Sequence, residues 1–219
     1  MKLLIDFLKD LRKNNHKEWF DNNRDHYEES RQQMLFFTEL MIQEIAKFDP
    51  DIPMLNPKEC LFRIYRDVRF SKDKTPYKTH MGAFVARNGR KSDRAGYYIH
   101  IEPGNSFLGG GVWGPAADHL KAIRSEIFDN AEGFREIIND EDFQKYYSHI
   151  HGDKLKTAPK GFPKDFEDVD LLRYKSYAFG FQVPDKTIVN GNLVEVAVDA
   201  FQELYKVNRY LNSALDKWL

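Results

Sequence analysis

The sequence predicts an α+β fold: a central antiparallel sheet of four to five strands packed with long N- and C-terminal helices. Three observations predict it. Apolar residues recur at helical spacing near both ends of the chain. Between them, short alternating segments are separated by Asn88-Gly89 and Pro103-Gly104-Asn105, connections suited to antiparallel neighbours. No internal repeat, low-complexity tract or long linker divides the 219 residues, so one domain over 1–219 is the economical organisation.

Leu4, Phe7, Leu8 and Leu11 mark a first helix that Asn14-Asn15 ends. A second, long helix is predicted from Lys17 to Phe48. Phe20, Tyr27, Met34, Met41 and Phe48 fall every seven residues along it, and regular flanking charges are missing, so the stripe reads as a core face rather than a coiled-coil seam. Asp49-Pro50-Asp51-Ile52-Pro53 stops it. Strands are predicted at Leu61–Tyr65, Gly82–Arg87, Gly96–Glu102, Ser106–Val112 and Ser176–Val183. In the third of these, Tyr97, Ile99 and Ile101 alternate with Tyr98, His100 and Glu102, one face for the core and one polar. Pro115 is expected to open a helix that buries Leu120, Ile123 and Ile127. Short helices follow near 134–138, 143–147 and 166–172, with a loop over 152–164. A final helix over 192–218 keeps the i, i+3, i+4 rhythm from Leu193 to Trp218.

Composition excludes several classes. Aromatics at 14% are too many for a disordered chain, and 13 Gly and 9 Pro without period exclude a collagen-like one. No apolar run approaches a membrane span. MKLLIDFLKD is too short and too charged for a signal peptide, and a single cysteine excludes an intrachain disulfide, so a cytoplasmic setting is expected. Net charge is −1, but Lys58 to Arg94 holds eleven basic and four acidic side chains, leaving the rest of the chain at −8. Such a segment suits an anion-facing surface, or simply a solvated strand and loop.

That segment contains Arg63-Ile64-Tyr65-Arg66-Asp67-Val68-Arg69-Phe70-Ser71-Lys72-Asp73-Lys74-Thr75-Pro76-Tyr77-Lys78. If 62–70 is extended, Arg63, Tyr65, Asp67 and Arg69 share one face, and Arg66 intrudes among Phe62, Ile64, Val68 and Phe70 on the other. A guanidinium on an apolar face needs partners, so either Arg66 is paired or the strand turns near Asp67. Arg forks bind phosphate or carboxylate bidentately. The candidate ligand-binding set is Arg63, Arg66, Asp67, Arg69, Asp73, Lys74, Tyr77 and Lys78, with Asp67 orienting an Arg rather than acting as a base. A structural Arg–Asp–Arg ladder stands beside that reading.

The pattern Arg63-x-x-Arg66-Asp67-x-Arg69-Phe70-x-x-Asp73-Lys74-x-x-Tyr77 resembles the signature of a bacterial family known as domain of unknown function 2461. Asn14-Asn15-x-x-x-Trp19-Phe20, Tyr97-Tyr98-x-His100-Ile101, Gly109-Gly110-Gly111, Pro159-Lys160-Gly161 and Leu172-Arg173-x-Lys175 resemble it too. The resemblance implies a single domain of about this size and brings no activity with it.

Gly109-Gly110-Gly111-Val112-Trp113-Gly114-Pro115 runs from strand to helix without a Gly-Lys-Ser/Thr or GxGxxG pattern. It serves either close packing or ligand contact. His100-x-Glu102 can point to one side of a strand, and His149-x-His151 likewise, but no third ligand lies at a telling distance, so no metal and no cofactor are expected. Cys60 precedes an apolar strand and reads as a buried, inert thiol. The favoured function is binding of a small anionic or phosphate-bearing ligand, with catalysis on it left open. The alternatives are nucleic-acid binding, disfavoured by the overall charge, and a protein–protein adaptor in which the Arg/Asp ladder is structural.

Overall fold

A computed structural model describes all residues, 1–219. In chain order the elements are α1 (Lys2–Lys13), α2 (Lys17–Asn22), α3 (Arg24–Ile45), α4 (Pro57–Cys60), β1 (Met81–Val85), a 3-10 turn (Gly89–Lys91), β2 (Gly96–Ile101), β3 (Phe107–Val112), α5 (Ala117–Asp129), α6 (Ala131–Asn139), α7 (Glu141–Gln144), α8 (Val169–Leu172), β4 (Tyr177–Gln182), α9 (Asp185–Val189) and α10 (Leu193–Trp218). The fold is α+β, with one antiparallel sheet in the order β1-β2-β3-β4. No helix is long and apolar enough to cross a membrane. The chain gathers into two compact units, Met1–Arg90 with Tyr98–Leu108 and Gln182–Asp199, and Lys91–Tyr97 with Gly109–Phe181 and Ala200–Leu219.

In the first unit α1 buries Leu4, Ile5, Phe7, Leu8 and Leu11, one face of the helix, and packs on α3. The helix expected over Lys17–Phe48 is broken at Asn23. There the backbone leaves helical geometry (φ −113°, ψ 24°), and the Asn23 side-chain amide donates to the Trp19 carbonyl at 2.8 Å, closing α2. A short polar side chain that can bond its own backbone competes with helix continuation. The heptad stripe is a core face at three of its five positions: Phe20, Met34 and Met41 are fully buried, while Tyr27 and Phe48 are half-buried.

The expected strand at Leu61–Tyr65 forms two isolated bridges instead, Leu61 to Ala83 and Tyr65 to Tyr77. The chain takes six steps from Tyr77 to Ala83 against four from Leu61 to Tyr65. Two extra residues around Thr79–Met81 therefore form a bulge that interrupts the ladder. Backbone bonds continue on either side of it, from Phe62 N–H to Gly82, Lys78 N–H to Ile64 and Arg66 N–H to Pro76.

In the second unit α10 lays Phe201, Leu204 and Val207 inward. The Phe201 ring stands edge-on to Tyr97 at 5.2 Å, and Asn208 and Asn212 side chains donate to the Gly96 and Ala95 carbonyls. The glycine stretch is a packing device. A Cβ on Gly109 would lie 2.2 Å from the Phe179 carbonyl oxygen, and one on Gly110 1.9 Å from that of Gly96. Helix α5 begins at Ala117 with Ala116 as its N-cap, so Pro115 precedes the helix rather than opening it. Ile123 and Ile127 are buried, but Leu120 is only half-buried.

Candidate functional site

The predicted ligand residues lie on a loop that the chain ties to its own backbone. Arg66 Nη1 donates to Asp73 Oδ2, to Thr75 Oγ1 and, at 3.1 Å, to the Thr75 carbonyl. Asp73 also accepts from the Thr75 N–H at 2.9 Å, and these bonds, the backbone one first, hold its carboxyl down at about 2. The conflict created by Arg66 on the apolar side is resolved in both ways at once. Its guanidinium is paired, and the extended pattern ends in a turn, with Ser71 N–H bonding to Val68. Asp67 grips Arg69 with both oxygens, at 2.9 Å to Nε and 2.6 Å to Nη2, and the Arg69 bond keeps its carboxyl below the usual range. Lys74 Nζ donates to the Val68 carbonyl at 2.9 Å. Phe70, at the turn, is 96% exposed.

Tyr77 is an anchor. It is buried, stacked on Phe20 with ring centroids 4.0 Å apart, and its backbone N–H and carbonyl are both paired with the Asn15 side-chain amide, at 3.1 and 2.9 Å. Arg63 and Lys78 have no ion-pair partner. Lys78 is half-buried, its Nζ sits 5.7 Å from the Phe62 ring centroid, and burial, helped by nearby Arg63, lowers its pKa. The structure thus separates the eight residues into loop-internal pairs (Arg66, Asp67, Arg69, Asp73, Lys74), an anchor (Tyr77) and two unpaired cations (Arg63 and Lys78).

Beside Lys78 lies a cluster that sequence spacing does not reveal. The polar face of β2 and the residue after it carries Tyr98, His100 and Glu102, while Tyr97, Ile99 and Ile101 are fully buried on the other. His80, at the bulge, brings its ring centroid 4.2 Å from that of His100, tilted 31° to it. The ligating atoms of His80, His100 and Glu102 all lie within 4.8 Å of one another. The third residue missing from the His100-x-Glu102 spacing is supplied by the segment just before β1. No spacing along the chain signals it: His80 meets His100 only through the register in which the segment before β1 lies beside β2.

The cluster is braced. His100 Nε2 is 3.2 Å from Glu102 Oε2, and its Nδ1 is 3.1 Å from the Tyr98 hydroxyl. Glu102 also accepts from Thr79 Oγ1 at 3.0 Å and Asn105 Nδ2 at 3.1 Å. Phe107 stacks on His100 at 4.6 Å. Gly82 leaves room for the Tyr98 hydroxyl, which would stand 2.8 Å from a Cβ there. Burial pushes His80 down to about 4, with His100 and Lys78 adding to the effect, and burial also lowers His100 against the pull of Glu102. Burial acts to raise Glu102, but the hydrogen bonds from Asn105, His100 and Thr79 outweigh it and leave its pKa lowered. Near neutral pH the cluster therefore holds two neutral imidazoles and a carboxylate.

Cys60 is fully buried, and burial raises its thiol to about 11, so it offers no nucleophile.

The family described as "Conserved hypothetical protein (DUF2461)" has a sequence model that matches residues 4–210. The match takes in nearly the whole chain, and the chain belongs to this family. Searches of curated proteins and of solved structures returned no match.

Proposed function

We propose that this member of the family binds a small anionic, phosphate-bearing ligand at Arg63 and Lys78. The observation that carries the reading is Lys78. A half-buried ammonium beside a guanidinium, with no carboxylate in ion-pair contact with either, is an arrangement that an anion would relieve. The other cations of the segment support it less directly. Arg66, Arg69 and Lys74 shape the loop, and their charges are already engaged. Arg63 brings a planar fork and Lys78 a point charge, a pairing suited to a phosphate oxygen face. A reducing cytoplasm is the setting in which we place this role, in keeping with the lone thiol of Cys60.

Calorimetry with phosphate, sulfate and mononucleotides tests it. Wild type is expected to bind at millimolar concentration or tighter. Arg63→Ala and Lys78→Met are expected to weaken binding about tenfold or more, as charge-assisted hydrogen bonds are lost. Arg69→Ala is expected to change it little. Absence of binding by wild type would refute the reading, and so would equal losses in all three variants. Phe70, exposed under the Arg69 guanidinium at 5.9 Å, favours a second reading as a stacking platform for single-stranded nucleic acid. Oligonucleotide binding that falls steeply with salt and is lost in Phe70→Ala would select that reading instead.

A further inference from the structure

We propose that His80, His100 and Glu102 form a binding site for a borderline divalent transition-metal ion of the Zn2+ type. The proposal goes beyond the anion reading and does not depend on it. Two imidazoles and one carboxylate converge from β2 and the residues bordering β1 and β2, with all ligating atoms within 4.8 Å. The 3.2 Å separation of His100 Nε2 and Glu102 Oε2 is already close to the edge of a tetrahedral site, about 3.3 Å for bonds of roughly 2.0–2.1 Å. Closing His80 onto the pair completes three protein ligands and leaves a position open for water or a ligand oxygen. The mixed nitrogen and oxygen donors select this class over Mg2+ and Ca2+, which take oxygen ligands.

The surroundings resemble an outer shell rather than an incidental surface cluster. Thr79 and Asn105 orient the Glu102 oxygens, Tyr98 holds His100 Nδ1, and Phe107 fixes the ring plane. The bulge that breaks the ladder between 61–65 and 77–83 turns His80 toward this point. Without metal, the Nε2–H of neutral His100 donates to Glu102 and its Nδ1 accepts from Tyr98. With metal on Nε2, the ring takes the other tautomer, and Nδ1–H donates to the Tyr98 oxygen, so His100 stays neutral throughout. Lys78 is near enough to act electrostatically on both histidines, and Arg12 Nη2 lies 3.9 Å from Glu102 Oε1. Both cations oppose a bare metal ion and match an anionic oxygen in its open position.

The test uses the full chain, freed of metal by chelation and kept in phosphate-free buffer. It is titrated with Zn2+, Co2+, Mn2+ and Mg2+ by calorimetry, and with Co2+ by visible absorption. One equivalent of Zn2+ and of Co2+ is expected to bind, with Co2+ developing ligand-field bands and Mg2+ not binding. His80→Ala and Glu102→Gln are expected to weaken Zn2+ binding at least 100-fold. Thr79→Ala, which removes only a support, is expected to weaken it about tenfold. Lys78→Met is expected to keep the metal while losing phosphate, so failure of one proposal is distinguishable from failure of the other. The inference is overturned if wild type takes up none of the transition metals stoichiometrically. It is equally overturned if Mg2+ binds as tightly as Zn2+, or if His80→Ala and Glu102→Gln both bind Zn2+ within threefold of wild type. The wild-type titration decides the matter even where a variant fails to fold.

Discussion

Arg66 shows how a single side chain converts a pattern conflict into structure. Its guanidinium reaches past the end of the extended segment to Asp73 and Thr75, closing a loop whose tip exposes Phe70. A Lys there has one compact ammonium and cannot serve the same set with fork geometry. Arg66→Lys is therefore expected to speed proteolysis and amide exchange between Val68 and Thr75 while leaving the melting temperature nearly unchanged. The pH dependence belongs to Asp73. Its folded pKa, about 2, lies below the ordinary carboxylate value, so its contribution to stability is present above about 4 and is lost as pH falls through about 2. Carboxyl carbon NMR is expected to place its midpoint well below that of an unpaired Asp, moving back up in Arg66→Lys and in high salt because the group is exposed. Gly110 carries a prediction of the opposite kind. Its missing Cβ would meet backbone, the Gly96 carbonyl, which cannot turn aside. Gly110→Ala is expected to cost about 1–3 kcal/mol or more in denaturant melts, as overpacking does.

Elements in this protein meet through a few specific contacts laid on broad apolar faces. The Asn15 side-chain amide pairs with both backbone groups of Tyr77, as a strand neighbour would, and the Phe20 ring stacks on the same residue. The stretch after α1 and the basic loop, two segments of the family resemblance, thereby become one piece of structure. Asn15→Ala leaves those two backbone groups unpaired and is expected to cost about 1–3 kcal/mol, measurable by urea denaturation. For α10, Leu204 is fully buried against the sheet at Gly110. Leu204→Ala is expected to cost about 2–5 kcal/mol by the same measurement. A curve unchanged from wild type would mean that the stripe does not support the fold.

For the molecule as a whole, Cys60 is a built-in reporter. Its thiol is buried and raised to about 11, so labelling by iodoacetamide is expected to be negligible in the native protein and to follow global unfolding in urea. What the chain's order of residues determined by itself is the main helices and the four strands of the sheet, though not the break at Asn23 or the short helices α4 and α9. The apolar stripes of α1, α3 and α10 and the alternation of Tyr97 to Glu102 are local periodicities, and burial of one face follows from them directly. The density of cations from Lys58 to Arg94 was equally legible, as was the need for Arg66 to find a partner. Tertiary structure alone decided the rest. Whether Leu61–Tyr65 joins the sheet depends on two extra residues in the opposing chain, which periodicity within one segment cannot register. Which cations stay unpaired depends on where Asp67 and Asp73 reach. His80 stands twenty residues from His100 and gains a role only when antiparallel pairing places the two side by side, because proximity across a ladder is set by register and not by spacing along the chain.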